Sequence, residues 1–276
     1  MRLLALALIF AAPVLAQQHA PQPPPGGAAP APASSPPAAA PPTAAPPPAA
    51  APAATPSTWT GKFDELWKKR DQPAALKEMH ALVDQQLAVD ARAFEANWRL
   101  ASLYNWEANG TEGDKKAELG KMAWEVGDRA ILAKPGDVRG QYYAGLGVGL
   151  YSEGIGILTA LSQGVEGKFR ERMLAALRID KDYLDGAPQV VWGRYFFKLP
   201  WPKRDVDQSI KVLEECIAGH PDNWRAKIYL ADSFADQGKT EDARRFIQDV
   251  LDARTGNDPP EDRRLKDLAK KWMGSH

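Results

Sequence analysis

Cysteine is almost missing from this chain. A single thiol, Cys216, stands among 276 residues, which excludes an internal disulfide and any cysteine zinc cluster. Histidine is nearly as scarce. None of His19, His80, His220 and His276 pairs with another at ligand spacing, so the sequence predicts no metal site. An excess of one charge is also lacking: 35 basic residues against 35 acidic ones leave no global field to draw the protein to nucleic acid. Local clusters such as Lys68-Lys69-Arg70 are interleaved with acids and read as solvated helix faces. Beyond the first sixteen residues no apolar run is long enough to span a bilayer. No stretch alternates convincingly with period two, which argues against strands.

What is present divides the chain into three. Arg2 gives a positive start, Leu3 to Ala12 an apolar run, and Val14 and Ala16 the two small positions before a cleavage point. Residues 1–16 therefore read as a signal peptide, and the mature chain as periplasmic. No cysteine follows the cleavage point to carry a lipid, and no transmembrane segment is expected after removal. Residues 17–57 are almost wholly Ala, Pro, Gly, Gln, Ser and Thr, and no charged residue occurs between Arg2 and Lys62. Proline fixes φ and removes a donor, so this run is expected to be a disordered linker. Residues 58–276 are ample for one substantial helical domain.

Two stretches of that domain echo each other 34 positions apart: Ser209, Leu213 and Cys216 answer to Ala243, Ile247 and Val250. Leu230-Ala231-x-x-Phe234 precedes the second set and Trp192-Gly193-x-x-Phe196 the first. This period and these residue sizes are the tetratricopeptide signature. Small residues let two antiparallel helices approach, large ones fill the space beside them, and neighbouring pairs stack to bury a continuous core. The predicted fold is all-α, a tetratricopeptide-like helical-hairpin array with irregular inserted turns and a C-terminal capping helix.

The irregularities can be placed. Asn97 to Tyr104 followed by Ala123, Gly127 and Ala130 is an earlier unit, with ten extra residues assigned to an extended turn around Asn109 to Gly113. Residues 154–164 read as a short inserted helix, and Lys198 to Asp205 as an enlarged turn ending in the N-cap Asp205. On the first long helix Ala75, Met79, Leu82 and Leu87 are the expected inward side. Leu265, Leu268 and Trp272 form the inner stripe of the last helix, with Arg263, Arg264, Lys270 and Lys271 outside.

WRLASLY (98–104), AKPGD (133–137), the run from Gly140 to Gly186, and VVWGRYFFKLPWPKRD (190–205) together resemble the TRAP-transporter TatT-component family. The regulator of microtubule dynamics proteins are similar at a greater distance. The resemblance covers roughly 90–255. It implies an all-helical array in the cell envelope, associated with a periplasmic substrate-binding protein. The chain departs from that family's lipoprotein pattern in lacking the lipid-bearing cysteine.

Catalytic chemistry finds little support. Gly145-x-Gly147-x-Gly149 lacks the preceding strand and the spacing of a dinucleotide fingerprint, and reads as close helix packing. Nothing resembles a nucleophile elbow, so neither an enzyme nor a cofactor is expected. In an array, residues of each first helix that face away from its partner line the concave side. By that logic Asn97, Asn105, Tyr142, Arg194 and Arg225 are candidate partner or ligand contacts, arginine being suited to gripping a carboxylate. Trp201, between two prolines, is the candidate exposed anchor. Two functions follow. One is an exported scaffold or adaptor that binds a protein or peptide partner in the cell envelope. The other is a TatT-like transport accessory that binds or passes a small organic acid. An open groove favours the first; a closed pocket lined by Arg, Tyr and Trp favours the second.

Overall fold

The computed structural model describes residues 58–276. The signal peptide and linker predicted for 1–57 lie outside the described residues. Twelve helices and no strand occur among the described residues: α1 (Trp59–Trp67), α2 (Pro73–Val89), α3 (Phe94–Asn109), α4 (Gly113–Ala133), α5 (Val138–Ile155), α6 (Ile157–Ser162), α7 (Val165–Ile179), α8 (Tyr183–Lys198), α9 (Val206–Gly219), α10 (Trp224–Asp236), α11 (Thr240–Asp252) and α12 (Pro259–Ser275).

Local chemistry explains the helix starts. Pro73 opens α2, where its missing N–H costs nothing. Thr58, Asp137, Asp205, Asn223 and Asp258 are N-caps whose side-chain oxygens accept from backbone N–H groups two or three residues on. Asp205 accepts from Gln208 N at 2.9 Å, as its spacing predicts.

Consecutive helices pair as antiparallel hairpins: α1/α2, α3/α4, α5/α7 with α6 inserted, α8/α9 and α10/α11. The 34-residue echo marks the faces that meet. Ser209, Leu213, Cys216, Ala243, Ile247 and Val250 are all fully buried. The inserted helix and the enlarged turn also stand where the sequence places them.

Three local expectations are corrected. The ten extra residues of the earlier unit do not form an extended turn. They lengthen the helices, so that α3 has 16 residues and α4 has 21, joined through residues 110–112. On α2 the third inward residue is Val83, fully buried, whereas Leu82 and Leu87 are only half-buried. On α12, Arg264 is not on the outer face. It stacks on Trp106 of α3, with its guanidinium carbon 3.3 Å from the ring centroid.

Helices α4 and α5 pack backbone against backbone. A Cβ placed on Gly147 would lie 2.5 Å from Trp124 N, and one on Gly154 would lie 2.4 Å from Ala117 N. The glycine run read as close helix packing is therefore a contact seam. At the start of α8 the chain turns through left-handed backbone at Leu184 (φ 49°), Asp185 (φ 55°) and Gly186 (φ 83°). Such values cost L-residues on the order of 1–2 kcal/mol each. Asn223 Nδ2 holds the turn by donating to Asp185 O at 2.7 Å.

Cys216 sits beneath that turn, near His220 and Asp182, where His220 Nε2 meets Asp182 Oδ1 at 3.0 Å. The grouping has the composition of a thiol hydrolase but not its electrostatics. Burial first, and then the Asp182 charge, push the thiol up to about 11, whereas a nucleophilic cysteine needs a depressed value. In the native protein at pH 8, Cys216 should stay unmodified by a disulfide reagent while the denatured chain reacts completely. Rapid native labelling would show that the α8/α9 hairpin opens.

Candidate functional site

The two ends of the array meet. Arg70, in the turn between α1 and α2, is 3 % exposed and donates from Nη2 to Asp258 Oδ2, the α12 N-cap, at 2.6 Å. Its guanidinium lies between the rings of Trp67 (4.6 Å) and Trp106 (4.4 Å). Trp106 Nε1 donates to Arg70 O at 2.9 Å. Next to it, Arg263 Nε donates to Asp71 Oδ2 at 3.0 Å, and Arg264 Nη2 to Trp106 O at 3.2 Å. The last helix thus closes on the first and second hairpins.

Beside this meeting lies a half-open cavity of about 440 Å³. The first helices of successive hairpins face it: α3 through Asn105 and Trp106, α5 through Tyr142 and Tyr143, α8 through Val190 and Arg194, and α10 through Trp224, Arg225 and Tyr229. From α12 come Glu261, Arg264 and Leu265. Aromatic and aliphatic side chains alternate in the wall with twelve charged ones, five basic and seven acidic, and the volume falls in the usual range of a small-molecule site.

The electrostatics are largely paired. Arg225 binds Glu261 through Nη2 and through Nε at 3.1 Å, and donates from Nη1 to Tyr229 OH at 3.1 Å. Burial disfavours both charges, but the mutual attraction prevails. It holds the Glu261 carboxyl below its ordinary range and the Arg225 guanidinium above its own. Arg194 Nη1 donates to Asp232 Oδ2 at 2.7 Å, and its guanidinium stacks 4.3 Å from the Tyr229 ring centroid. Burial raises the Tyr142 and Tyr143 hydroxyls, which stay neutral. Tyr183, in edge contact with both rings, is pushed up to about 12, chiefly by burial.

Four of the six candidates come together here: Asn105, Tyr142, Arg194 and Arg225. Asn97 does not. It is fully buried, donates to Ala91 O (3.0 Å) and Ala93 O (2.9 Å), and accepts from Arg129 Nε (3.0 Å). It therefore ties the α2–α3 turn to α4 rather than lining a groove. Trp201 is 89 % exposed, as its place between prolines suggests, and lies outside the cavity wall. Sequence patterning does not single out Arg70, Glu261 and Arg264, which also line the cavity. Their partners lie 36 to 188 residues away, and only the closure of the array brings them inward.

A tetratricopeptide repeat family model matches residues 203–266, from the enlarged turn into α12. The chain is a tetratricopeptide-like helical-hairpin array. Among solved structures, one crystal structure of MamA is similar at 13% identity and TM-score 0.41, over 70% of this chain and 90% of that one. A second MamA structure is similar at 12% identity and TM-score 0.43, over 74% of this chain and 95% of that one. Comparison with curated proteins gave no match. Among the described residues no helix is long and apolar enough to cross a membrane, and no three His, Cys, Asp or Glu side chains gather as metal ligands would.

Proposed function

We propose that this tetratricopeptide-like scaffold is an exported adaptor that holds a small organic molecule in its central cavity and works beside a protein partner in the cell envelope. The observation that carries the reading is the meeting of α12 with the first two hairpins beside a half-open cavity of about 440 Å³. That volume suits a small molecule. Arg70, Tyr142, Trp224 and Arg225 in the wall support the transport-accessory alternative, in which a periplasmic substrate-binding protein is the partner. The apolar segment of residues 1–16 supports export. Trp201, exposed outside the cavity, is the natural first contact for a protein partner, since exposed aromatics dominate such interfaces.

The reading is tested by thermal unfolding in the presence of fractionated cell extract. Saturation at a hundredfold over Kd stabilises by about 2.7 kcal/mol. For a domain of this size that raises the midpoint by roughly 5–10 °C. A low-mass fraction should give this shift. Stabilisation by a protein fraction alone would return the function to a scaffold without a ligand.

A further inference from the structure

Negative charge in the cavity wall is only partly met. Asp258 pairs with Arg70, Glu261 with Arg225, Glu153 with Lys198 and Glu166 with Lys203. The other three carboxylates of the wall, Asp185, Asp222 and Asp262, have no cation within ion-pair distance among the described residues. Asp185 and Asp222 are exposed, whereas Asp262 is half-buried and accepts from Gly256 N at 2.7 Å through Oδ2. Burial, reinforced by repulsion from Asp258 and Glu261 and set against the Gly256 N–H and Lys266, pushes the Asp262 carboxyl up. A positive charge close by would relieve it. On the cationic side, Arg194 pairs with Asp232 outside the wall, which leaves Arg264 without a carboxylate. Its face is taken by the Trp106 ring, and it offsets one of the three open negative charges.

A second observation in the same wall points to a donor. Asn105 is 2 % exposed. Its Nδ2 donates to Tyr143 O at 2.9 Å, and its Oδ1 has no partner. Buried acceptors are normally served, and this one calls for an N–H or O–H that enters the cavity. Arg70 Nε is also buried without a partner, but its guanidinium is held between the Trp67 and Trp106 rings. A guest that is positively charged and carries N–H donors answers both observations at once. Tyr142, Val190 and Leu265 offer it an apolar surface.

We infer that the cavity binds an organic amine in its ammonium form, with an N–H donating to Asn105 Oδ1, its charge in the field of Asp262, Asp185 and Asp222, and its body against Tyr142, Val190 and Leu265. This rests on the small-molecule reading above and narrows it, away from the small organic acid of a TatT-like accessory. A cleft with an excess of one sign concentrates ligands of the other. A carboxylate would add to the open negative charge and could not serve Asn105 Oδ1, because it has no proton to donate.

Calorimetric titration of the purified chain at neutral pH with hexylamine, hexyltrimethylammonium, 1-hexanol and hexanoate tests the assignment. Hexylamine, protonated there as lysine is, should bind about 10- to 100-fold tighter than hexanol, the range of a charge-assisted hydrogen bond. It should also bind tighter than the trimethylated cation, which has the charge but no N–H, and tighter than hexanoate. Asp262→Asn should narrow the preference over hexanol about two- to fivefold, as expected for a half-buried charge, and leave hexanol binding in place. If hexanol or hexyltrimethylammonium binds the unaltered chain as tightly as hexylamine, or hexanoate binds more tightly, the assignment is overturned while the small-molecule reading stands. A preference untouched by Asp262→Asn overturns it as well. If none of the four binds, the assignment fails, and the low-mass fraction of cell extract decides the broader reading separately. Should Asp262→Asn fail to fold, the ranking of the probes on the unaltered chain decides alone.

Discussion

Replacing Gly147 by leucine should cost about 3 kcal/mol or more and abolish cooperative unfolding, because overpacking by several methylenes exceeds what a packed interface absorbs. The first atom added would stand 2.5 Å from Trp124 N and 2.9 Å from Gly120 O. Both are backbone atoms of α4, so no side chain can move aside. The helices would have to separate along the most extensive helix–helix contact of the array. Gly167 on α7 is the control, since a Cβ there meets nothing within 4 Å. Gly167→Ala should stabilise by roughly 0.5–1 kcal/mol, the usual helix-interior gain. Thermal melts of the two variants check both numbers. A Gly147→Leu protein that melts like the parent would contradict the packing described.

The α4/α5 seam shows what the sequence makes legible. Gly147 and Gly154 can be recognised as packing glycines because small residues recur where no strand precedes them. The 34-residue echo is legible for a similar reason: Ser209 to Cys216 and Ala243 to Val250 meet within consecutive hairpins, and local periodicity encodes such contacts. The turn composition of Asn109 to Gly113 points the ten extra residues before Ala123 to a loop, whereas they propagate α3 and α4. Helix propagation gains a hydrogen bond per residue once a helix is nucleated.

The site was legible only in part. Asn105, Tyr142, Arg194 and Arg225 lie on first helices, and the inward direction of those helices follows from the repeat. Asn97 lies on such a helix too, but its position about two turns before Asn105 aims it at Arg129 and the preceding turn. Arg264 could not be assigned from its own helix, because a 3.6-residue pattern places it on the polar side of α12. Its surroundings come from Trp106, 158 residues earlier, and only the curvature of the whole array determines that meeting.

Arg225→Met should cost about 3–5 kcal/mol, the usual consequence of leaving one partner of a buried ion pair alone. Arg225 and Glu261 are 23 % and 24 % exposed, so the orphaned Glu261 carboxylate would recover some water and the loss should fall at the lower end of that range. The double variant Arg225→Met, Glu261→Met should recover most of the loss, since well-packed apolar pairs replace buried ion pairs at little net cost. The pH dependence has a definite sign. Glu261 is held below its ordinary 4.5 in the folded protein, so its contribution is complete above that value and is lost as pH falls through the folded pKa. Denaturant melts at neutral pH and again below pH 4.5 should find the gap between parent and single variant narrowing in acid. A double variant as unstable as the single one would show that the pair is not the source of the loss.

Closure of the array around its cavity is tested most directly by a distance between its two ends. Gln72, beside Asp71, and Asp267, one turn beyond Arg263, are both exposed. Spin labels on Gln72→Cys and Asp267→Cys leave the Arg263–Asp71 pair intact, and buried Cys216 stays unlabelled. The account predicts one narrow distance below about 25 Å, since Asp267 lies only ~6 Å along the helix from Arg263. A broad distribution centred on the order of 40 Å, the span of several helices packed side by side, would contradict it.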